Sequence, residues 1–428
     1  RLDVARAHDW SWEMLRTALR QAPETIVFAP QLDGCALGIA GFNIAKYPLN
    51  LTEVRWAVTY CLNRAKLASI FPNAEKTPPS MYPWPAPQYG VFNKYVPMAE
   101  RGLQRIKDEL GFTYKYDPAK AAEILDGLGF TDRNGDGWRE TPDGNKISWD
   151  IIVLPIELHN YIAVDLVDEL RKIGIDANLR TLEETLYWDA AAFGRFDIDV
   201  GALCTAAWLY GDMADALDVF HGKWYVPIGE RPTGGGLWGA NPRYNNTELN
   251  RIIDQLWALS PDDPEAQPLY EEGIYIMMRD MLCAPAVEAT LNCPFSTAHW
   301  TGWPSEINLY MNPPSWWPSF LFVLGKIEPV KASVWMLQDV AAFTGVEGKS
   351  YGPFTAGEYT TIPKADAERL IGQGVVSYSP PIAKLMTGLE SLNAQIGTLM
   401  TAVVIEGVAI AVAIALAVAL IITRRKPA

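Results

Sequence analysis

The chain has 428 residues, which is enough for two or three domains, and 49% of these residues are hydrophobic. Its formal net charge of −14 argues against nucleic acid and anionic lipid as partners. Five cysteines without a C-x-x-C pair are too few for a disulfide scaffold and give no sign of redox or zinc chemistry. Cys283 and Cys293 are left as a candidate bridge.

The first predicted elements alternate between helix and strand. A helix over Trp10–Gln21 and a strand over Thr25–Ala29 precede an apolar run, Ala36–Asn43, that is typical of a buried strand. The next segment, 50–64, has apolar residues on one helical face, with Thr52 as the expected N-cap. The order favours a mixed α/β fold.

The middle of the chain continues this alternation. Asp117 at an N-cap, Pro118 at the first helical position and Gly129 near the stop predict a capped helix. A strand–helix–strand unit is expected over Ser148–Leu154, Ala163–Ile173 and Ile175–Leu182.

One loop has the spacing of a metal site. The pattern D-x-N-x-D-G, in which Gly137 allows a sharp turn, is that of a calcium loop. The predicted strand after it is untypical of such loops, so a structural Ca²⁺ site and a metal-free turn both stay open. No other cofactor is implied. The candidate ligands are Asp132, Asn134, Asp136, the backbone carbonyl of Trp138, and Asp143.

Motifs for catalysis are missing from the sequence. The four histidines form no H-E-x-x-H or comparable pair, and neither a G-x-S-x-G elbow nor a G-x-x-x-x-G-K-[ST] loop occurs. The sequence therefore predicts a binding protein and not an enzyme.

The C-terminal part changes in character. Short β-type segments and a helix over Lys364–Gly372 predict a small β-rich module at 331–380, either a spacer or a docking domain. A heptad pattern then predicts a stalk at 381–401, which either packs on its own module or assembles chains. The heptad positions are Ile382, Leu385, Leu389, Leu392, Ile396, Leu399 and Val403.

The last apolar run is long enough to cross a bilayer. A transmembrane helix is predicted over 402–423, because residues 407–423 contain no charge. Arg424, Arg425 and Lys426 follow, so the positive-inside rule makes 424–428 a cytoplasmic tail. These features predict a single-pass protein of the cell membrane whose ectodomain is extracellular.

Three segments in order carry a family resemblance. They are "FNIAKYPLNLTEVRWAVTYCLNR" (42–64), "YKYDPAKAAEILDGLGFTDRNGDGWRETPDGNKISWDIIV" (114–153) and "NNTELNRIIDQLWALSPDDPEAQPLYEEGIYIMMRDMLCAPAV" (245–287). Together they resemble the family 5 extracellular solute-binding proteins of ABC importers, the oligopeptide, nickel and oligosaccharide receptors. Asn63 departs from the Asp that members often carry there, which suggests a changed structural cap.

The resemblance implies a division of the chain into lobes. These receptors are two-lobed type II clamps of the periplasmic-binding-protein kind, so 41–287 is expected to be the second, ligand-binding lobe. Residues 1–40 would be a remnant of the first lobe and 288–330 the return to it. Most of the first lobe normally precedes the part matched by 1–40.

The resemblance also implies a ligand site. Peptide-binding members have a Trp-x-x-Asp region followed by Asp-Pro that supplies a carboxylate to the ligand's amino terminus, and Asp212 matches that carboxylate, although the proline is missing. A loop Asp that only forms a turn is the alternative. Trp208, Tyr210 and Trp238 lie in loops that the family points at the cleft, and flat aromatic rings suit sugars.

These features predict the membrane-anchored binding subunit of an ABC importer. It would capture an oligopeptide or an oligosaccharide outside the cell and deliver it to the permease subunits. The alternative is a surface-layer or adhesion protein that reuses the fold.

Overall fold

A computed structural model describes most of the chain, which divides into two compact units. The first contains Arg1–Ser296 and Trp303–Lys326, and the second Thr297–Gly302 and Ile327–Ala428. The described residues are 12–22, 26–70, 78–84, 90–203, 212–233, 243–305, 307–311, 314, 317–381 and 385–402.

The first unit combines eleven helices of the described chain with one five-stranded sheet. Its strands are β1 (Ile26–Phe42), β2 (Ser148–Val153), β3 (Asp176–Thr181), β4 (Ile198–Leu203) and β5 (Ala284–Ser296). Its helices are α1 (Trp12–Gln21), α2 (Thr52–Tyr60), α3 (Arg64–Ile70), α4 (Val96–Leu110), α5 (Pro118–Gly127), α6 (Glu157–Lys172), α7 (Glu184–Phe193), α8 (Met213–Asp218), α9 (Thr247–Leu256), α10 (Ala266–Arg279) and α11 (Trp317–Leu324), with 3-10 turns at Gly90–Tyr95 and Gly222–Trp224.

The sheet has a parallel half and an antiparallel half. Its strand order is β3-β2-β4-β1-β5, with β2 parallel to both β3 and β4, and β1 antiparallel to both β4 and β5. The predicted strand–helix–strand unit is confirmed as β2-α6-β3. Helix α6 begins at Glu157, six residues before the predicted start. The prediction missed these residues because the first turn is polar and aromatic and so lacks the apolar period.

Strands β1 and β5 approach each other closely at Gly38. A Cβ atom at this position would lie 2.2 Å from the carbonyl oxygen of Ala284 and 2.9 Å from the amide nitrogen of Ala286. Real side chains do not reach such distances, so the pairing requires glycine. The predicted buried strand at Ala36–Asn43 is confirmed, since Ala36, Ile39 and Phe42 are fully buried.

Two buried arginines tie helices α2 and α3 to the start of β5 and to the residues before it. Arg55 donates from Nε to the carbonyl oxygen of Asp280 at 2.9 Å. Arg64 donates to the carbonyl oxygens of Pro285 at 2.8 Å and Tyr114 at 3.0 Å. Burial lowers the pKa of each guanidinium to about 10, so both stay charged at neutral pH.

The helix caps follow the sequence with one correction. The Asp117 side chain caps α5 by accepting from the Lys120 amide at 3.1 Å, as predicted, and Asn63 accepts from the Lys66 amide at 3.0 Å before α3. Thr52 does not cap α2. Leu51 is the N-cap, and the Thr52 hydroxyl instead accepts from the Arg55 guanidinium at 3.0 Å.

The second unit is built mainly from short strands. A three-stranded sheet, β11-β8-β12, packs with α12 around a small core, and α12 coincides with the predicted helix Lys364–Gly372. The strands are β6 (Trp300–Thr301), β7 (Glu328–Pro329), β8 (Lys331–Met336), β9 (Phe343–Thr344), β10 (Ser350–Tyr351), β11 (Tyr359–Pro363) and β12 (Val376–Ser377). The buried core residues are Val334, Met336, Phe354, Ile362, Ala367, Leu370 and Val376.

A last described helix, α13 (385–402), carries the middle of the predicted heptad stripe on its surface. Leu385, Leu389, Leu392, Ile396 and Leu399 are all about half or more exposed. Ile382 and Val403 lie outside the described residues, as does the predicted membrane helix beyond residue 402. In the part of the chain that the structure covers, no helix is both long and apolar enough to span a bilayer.

The candidate bridge between Cys283 and Cys293 is not formed. Both side chains are buried, and no disulfide joins them. Cys283 immediately precedes β5 and Cys293 lies near its far end. Ten residues of extended strand place them roughly 30 Å apart, whereas a disulfide needs Cα atoms within about 7 Å.

The close approach at Gly38 predicts a stability effect. Gly38→Ala is expected to lower the free energy of unfolding by roughly 1–3 kcal/mol, because the added methyl group must push two backbones apart. Urea unfolding followed by circular dichroism measures this change.

Gly127→Ala is the matched control. Gly127 ends α5, and a methyl group added there would meet no atom beyond its own helix within 4 Å, so alanine should be tolerated with little change. Equal unfolding midpoints for the two variants would contradict the packing argument.

Asp199 is a buried carboxyl group in β4. Its side chain is 2% exposed and accepts a hydrogen bond from the Tyr187 hydroxyl at 2.7 Å. Burial raises the pKa of Asp199 to about 7, which the bond from Tyr187 only partly opposes.

Asp199 should therefore make stability depend on pH. A raised folded-state pKa means that the folded chain keeps a proton that the unfolded chain releases, so stability falls as pH rises from about 4 to about 7. Asp199→Asn removes this loss, and its stability relative to the parent should rise by roughly 2–4 kcal/mol across that window in urea titrations. A difference that does not vary with pH would contradict the assignment.

Candidate ligand-binding site around Asp212

Asp212 lies at the start of helix α8, a short distance along the chain from the end of β4. It is the N-cap of the helix, and its Oδ1 accepts from the amide of Ala214 at 3.2 Å. Asp is among the residues preferred at this position, because its carboxylate satisfies amides that the helix leaves unpaired. The backbone thus fixes the direction of the side chain.

Two tyrosines from distant elements hold the same oxygen. The hydroxyl of Tyr270, on α10, donates to Oδ1 of Asp212 at 2.7 Å, and that of Tyr95 donates at 3.1 Å. Both tyrosines are about 1% exposed, and burial is the main cause that raises the pKa of each phenol. All three donors contact Oδ1, so Oδ2 receives no hydrogen bond from any residue that the structure describes.

Two further carboxylates follow on the same short helix. Asp215 is partly buried, and its Oδ2 has no hydrogen-bond partner among the described residues. Burial raises the pKa of Asp215 to about 6, and the charges of Asp218 and Asp212 add to the effect. The negative charge of Asp218 is compensated, because its carboxylate accepts from the ammonium group of Lys223 at 2.5 Å and from two indole N–H groups.

This arrangement provides negative charge at an oriented side chain. Asp212 is oriented and offers one oxygen, while Asp215 adds a second acidic group one turn away. A carboxylate held in this way suits a charge-assisted hydrogen bond to an ammonium or guanidinium group.

The three aromatic candidates cannot be placed around this carboxylate. Trp208 and Tyr210 fall in 204–211, and Trp238 falls in 234–242, both outside the described residues. Their stacking role stays a prediction.

The predicted acidic loop forms a tight, self-bonded turn. Asp132 accepts from the amides of Gly135 at 2.7 Å and Gly137 at 2.9 Å, and Asp136 accepts from the amide of Trp138 at 2.9 Å. Gly137 has φ of +91°, the left-handed region that favours glycine. The Asn134 side chain bonds to Asp136 through both its amide atoms.

Three acidic side chains converge in this loop. Asp132, Asp136 and Glu140 each offer an oxygen within 4.8 Å of the others. Asp143 is not a member of this group. It accepts from the Thr141 hydroxyl and from the Asn145 side-chain amide instead.

Sequence reasoning missed Tyr95, Tyr270 and Glu140. Tyr95 and Tyr270 lie far from Asp212 along the chain, so no local pattern could have connected them with it. Glu140 occupies the ninth place of the loop, where calcium loops often bind through water, and that signal was available.

A family model matches part of the chain. Residues 18–223 match the family model described as "Bacterial extracellular solute-binding proteins, family 5 Middle". Asp212, Tyr95 and the acidic loop all lie within that segment, whereas Tyr270 lies beyond it. The match supports the resemblance to family 5 solute-binding proteins that the sequence motifs carry.

Solved structures of binding proteins share the fold. A periplasmic oligopeptide-binding protein from Thermotoga maritima is 25% identical, with a TM-score of 0.54 over 73% of this chain and 56% of its own. The same protein with bound mannohexaose gives 24% identity and a TM-score of 0.55 over the same shares. The oligopeptide-binding protein AppA from Bacillus subtilis, in complex with a nonapeptide, is 19% identical, with a TM-score of 0.51 over 68% of this chain and 52% of its own.

These likenesses support an α/β fold of the periplasmic-binding-protein kind. The chain spans only about half the length of the solved structures that it matches. The search of curated proteins found no match.

The hydrogen bond from Tyr270 to Asp212 predicts an energetic coupling between these two side chains. Tyr270→Phe should lower the free energy of unfolding by about 1.5–3 kcal/mol, since it removes a hydrogen bond from a buried hydroxyl to a carboxylate. Combined with Asp212→Asn, it should show a coupling energy of roughly 0.5–3 kcal/mol in a double-mutant cycle measured by urea unfolding.

Tyr161→Phe is the matched control for this cycle. Its hydroxyl contacts Glu157 on the surface of α6, so the change should be nearly neutral and additive with Asp212→Asn. Additivity of Tyr270→Phe with Asp212→Asn would show that the charge of Asp212 adds no stability to the contact.

Proposed function

We propose that this protein is the substrate-binding subunit of an ABC importer. It captures an oligopeptide outside the cell and delivers it to the permease. The observation that carries this proposal is the match of residues 18–223 to the solute-binding family model, and the oriented carboxylate of Asp212, which the sequence resemblance predicts as the peptide-terminus site, supports it.

Electrostatics favour a ligand with a positive group. Asp212 and Asp215 lie one helical turn apart, and Asp215 has no cationic partner in the described chain. An ammonium group of the ligand, placed beside this helix, would relieve the repulsion between the two partly desolvated carboxylates. A peptide amino terminus supplies that group.

An oligosaccharide is the second candidate. The sixteen tryptophans of the chain and the mannohexaose in the Thermotoga maritima structure support it. Neutral sugars carry no cation that offsets the charge of a carboxylate pair, so this ligand would depend on stacking against Trp208, Tyr210 and Trp238. A surface-layer or adhesion protein that binds neither ligand is the remaining alternative.

The proposal includes the arrangement of the chain at the membrane. Residues 41–287 form the second lobe, with 1–40 and 288–330 belonging to the first. The segment at 402–423 anchors the protein in a single pass, with the ectodomain outside, the stalk 381–401 above the membrane and the module 331–380 beyond it. The uncharged sequence of 407–423 and the basic residues after it support this arrangement.

Removing the charge of Asp212 is the decisive test of this proposal. Asp212→Asn should weaken binding of a peptide with a free amino terminus by about 1.5–3 kcal/mol, the usual range for a hydrogen bond to a charged group. The same peptide with an acetylated amino terminus, and a neutral oligosaccharide, should lose much less. Titration calorimetry with a defined peptide library measures these affinities.

Asp117→Asn is the matched control. Asp117 is also a helix N-cap, and asparagine preserves capping at both positions, so this control shows what the loss of a capping charge alone does. Equal peptide affinity for Asp212→Asn, Asp117→Asn and the parent would remove Asp212 from the site. Binding of no peptide and no sugar would favour the surface-layer alternative.

A further inference from the structure

Glu140 is an unusual member of the acidic loop because it is buried. Its side chain is 4% exposed, and its Oε1 has no hydrogen-bond partner among the described residues. The other oxygen, Oε2, accepts from the amide of Arg133 at 2.7 Å. An unpaired carboxylate oxygen in a buried position is costly unless a cation or another donor faces it.

The neighbours of Glu140 are themselves acidic. One carboxylate oxygen from each of Asp132, Asp136 and Glu140 lies within 4.8 Å of the others. Oxygen ligands on opposite sides of a Ca²⁺ ion are separated by about twice the 2.3–2.6 Å bond length, so this spacing suits one ion. Bringing three carboxylates together without a cation would cost Coulomb energy.

The backbone holds this group in place from both sides. Glu140 forms isolated β-bridges with Thr131 and with Lys146, so its position is fixed in a small antiparallel turn. Asp132 and Asp136 each cap amides within the loop, which directs their side chains inward. Both aspartates are exposed, and water can therefore complete the ligand shell.

Asp143, the acid expected from the sequence spacing, is already engaged. The Thr141 hydroxyl is the first cause that holds the pKa of Asp143 below its ordinary value, and the Asn145 amide donates to it at 2.7 Å. Asp143 also lies outside the group that Asp132, Asp136 and Glu140 form.

We propose that Asp132, Asp136 and Glu140 bind a structural Ca²⁺ ion, with Glu140 in the role that spacing assigned to Asp143. A set of oxygen ligands alone favours a hard cation. Partial exposure and irregular geometry favour Ca²⁺ over Mg²⁺, which demands a near-ideal octahedron and gives up its waters reluctantly. The site is independent of the proposed transport function, because it lies on a different loop and needs no organic ligand.

Calcium titration of the chelator-treated protein tests the site. Ca²⁺ alone should bind with one-to-one stoichiometry in calorimetry and raise the melting temperature, since an ion that binds only the folded state stabilises it. Glu140→Gln should weaken Ca²⁺ binding at least tenfold and abolish the thermal shift. Glutamine keeps an acceptor for the Arg133 amide, so the variant retains that contact.

Two further variants keep the test decisive. Asp136→Asn removes a charge from an exposed ligand without disturbing the buried position, and it should also weaken Ca²⁺ binding at least tenfold. Asp143→Asn removes a charge of the same loop and should leave the affinity within about twofold of the parent value. The proposal is overturned if the parent shows no Ca²⁺ binding at 1 mM, a trial concentration of roughly physiological extracellular level, or if Asp143→Asn loses as much affinity as Glu140→Gln.

Discussion

The pairing of β1 with β5 is the constraint on which the first unit depends. It joins Ile39 to Ala284, residues separated by more than half the length of the chain. Gly38 lets the two backbones meet, and Arg55 and Arg64 attach helices to the start of β5 and to the residues before it. Because β1 also pairs with β4, this one strand connects the antiparallel edge of the sheet to the βαβ half.

Buried polar groups in this unit are mostly held by backbone atoms or by tyrosine hydroxyls. Arg55 and Arg64 bind carbonyl oxygens, and Asp199 and Asp212 accept from phenols. Such partners satisfy a charge without cancelling it. The side-chain donors to Asp212 are thus neutral phenols, and this separates an oriented binding group from a structural ion pair.

The sequence predicted those parts of the fold that depend on local chemistry. The cap at Asp117, the helix of the second unit and the strands around α6 follow from capping residues and periodicity. Thr52 failed as a cap because Arg55, itself anchored to residues near β5, takes its hydroxyl. That competition is tertiary, so no local rule could have predicted it.

The candidate sites show the same difference between features that the local sequence predicts and features that depend on tertiary packing. The loop Asp132–Asp136 could be found because its ligands are neighbours in sequence, and burial then distinguished Glu140, which occupies the ninth place of the same loop. Tyr95 and Tyr270 meet at Asp212 through the packing of separate helices. Spacing can propose a ligand, whereas the groups that orient it come from the three-dimensional fold.

The register of β1 also determines when the protein can fold. Contacts between residues so distant along the chain carry a large loop-closure cost and form slowly. At a synthesis rate of roughly 5–20 residues per second, β5 leaves the ribosome about ten to fifty seconds after β1. Throughout that interval the edge of β1 that pairs with β5 has no partner, so the five-stranded sheet cannot be completed until β5 arrives.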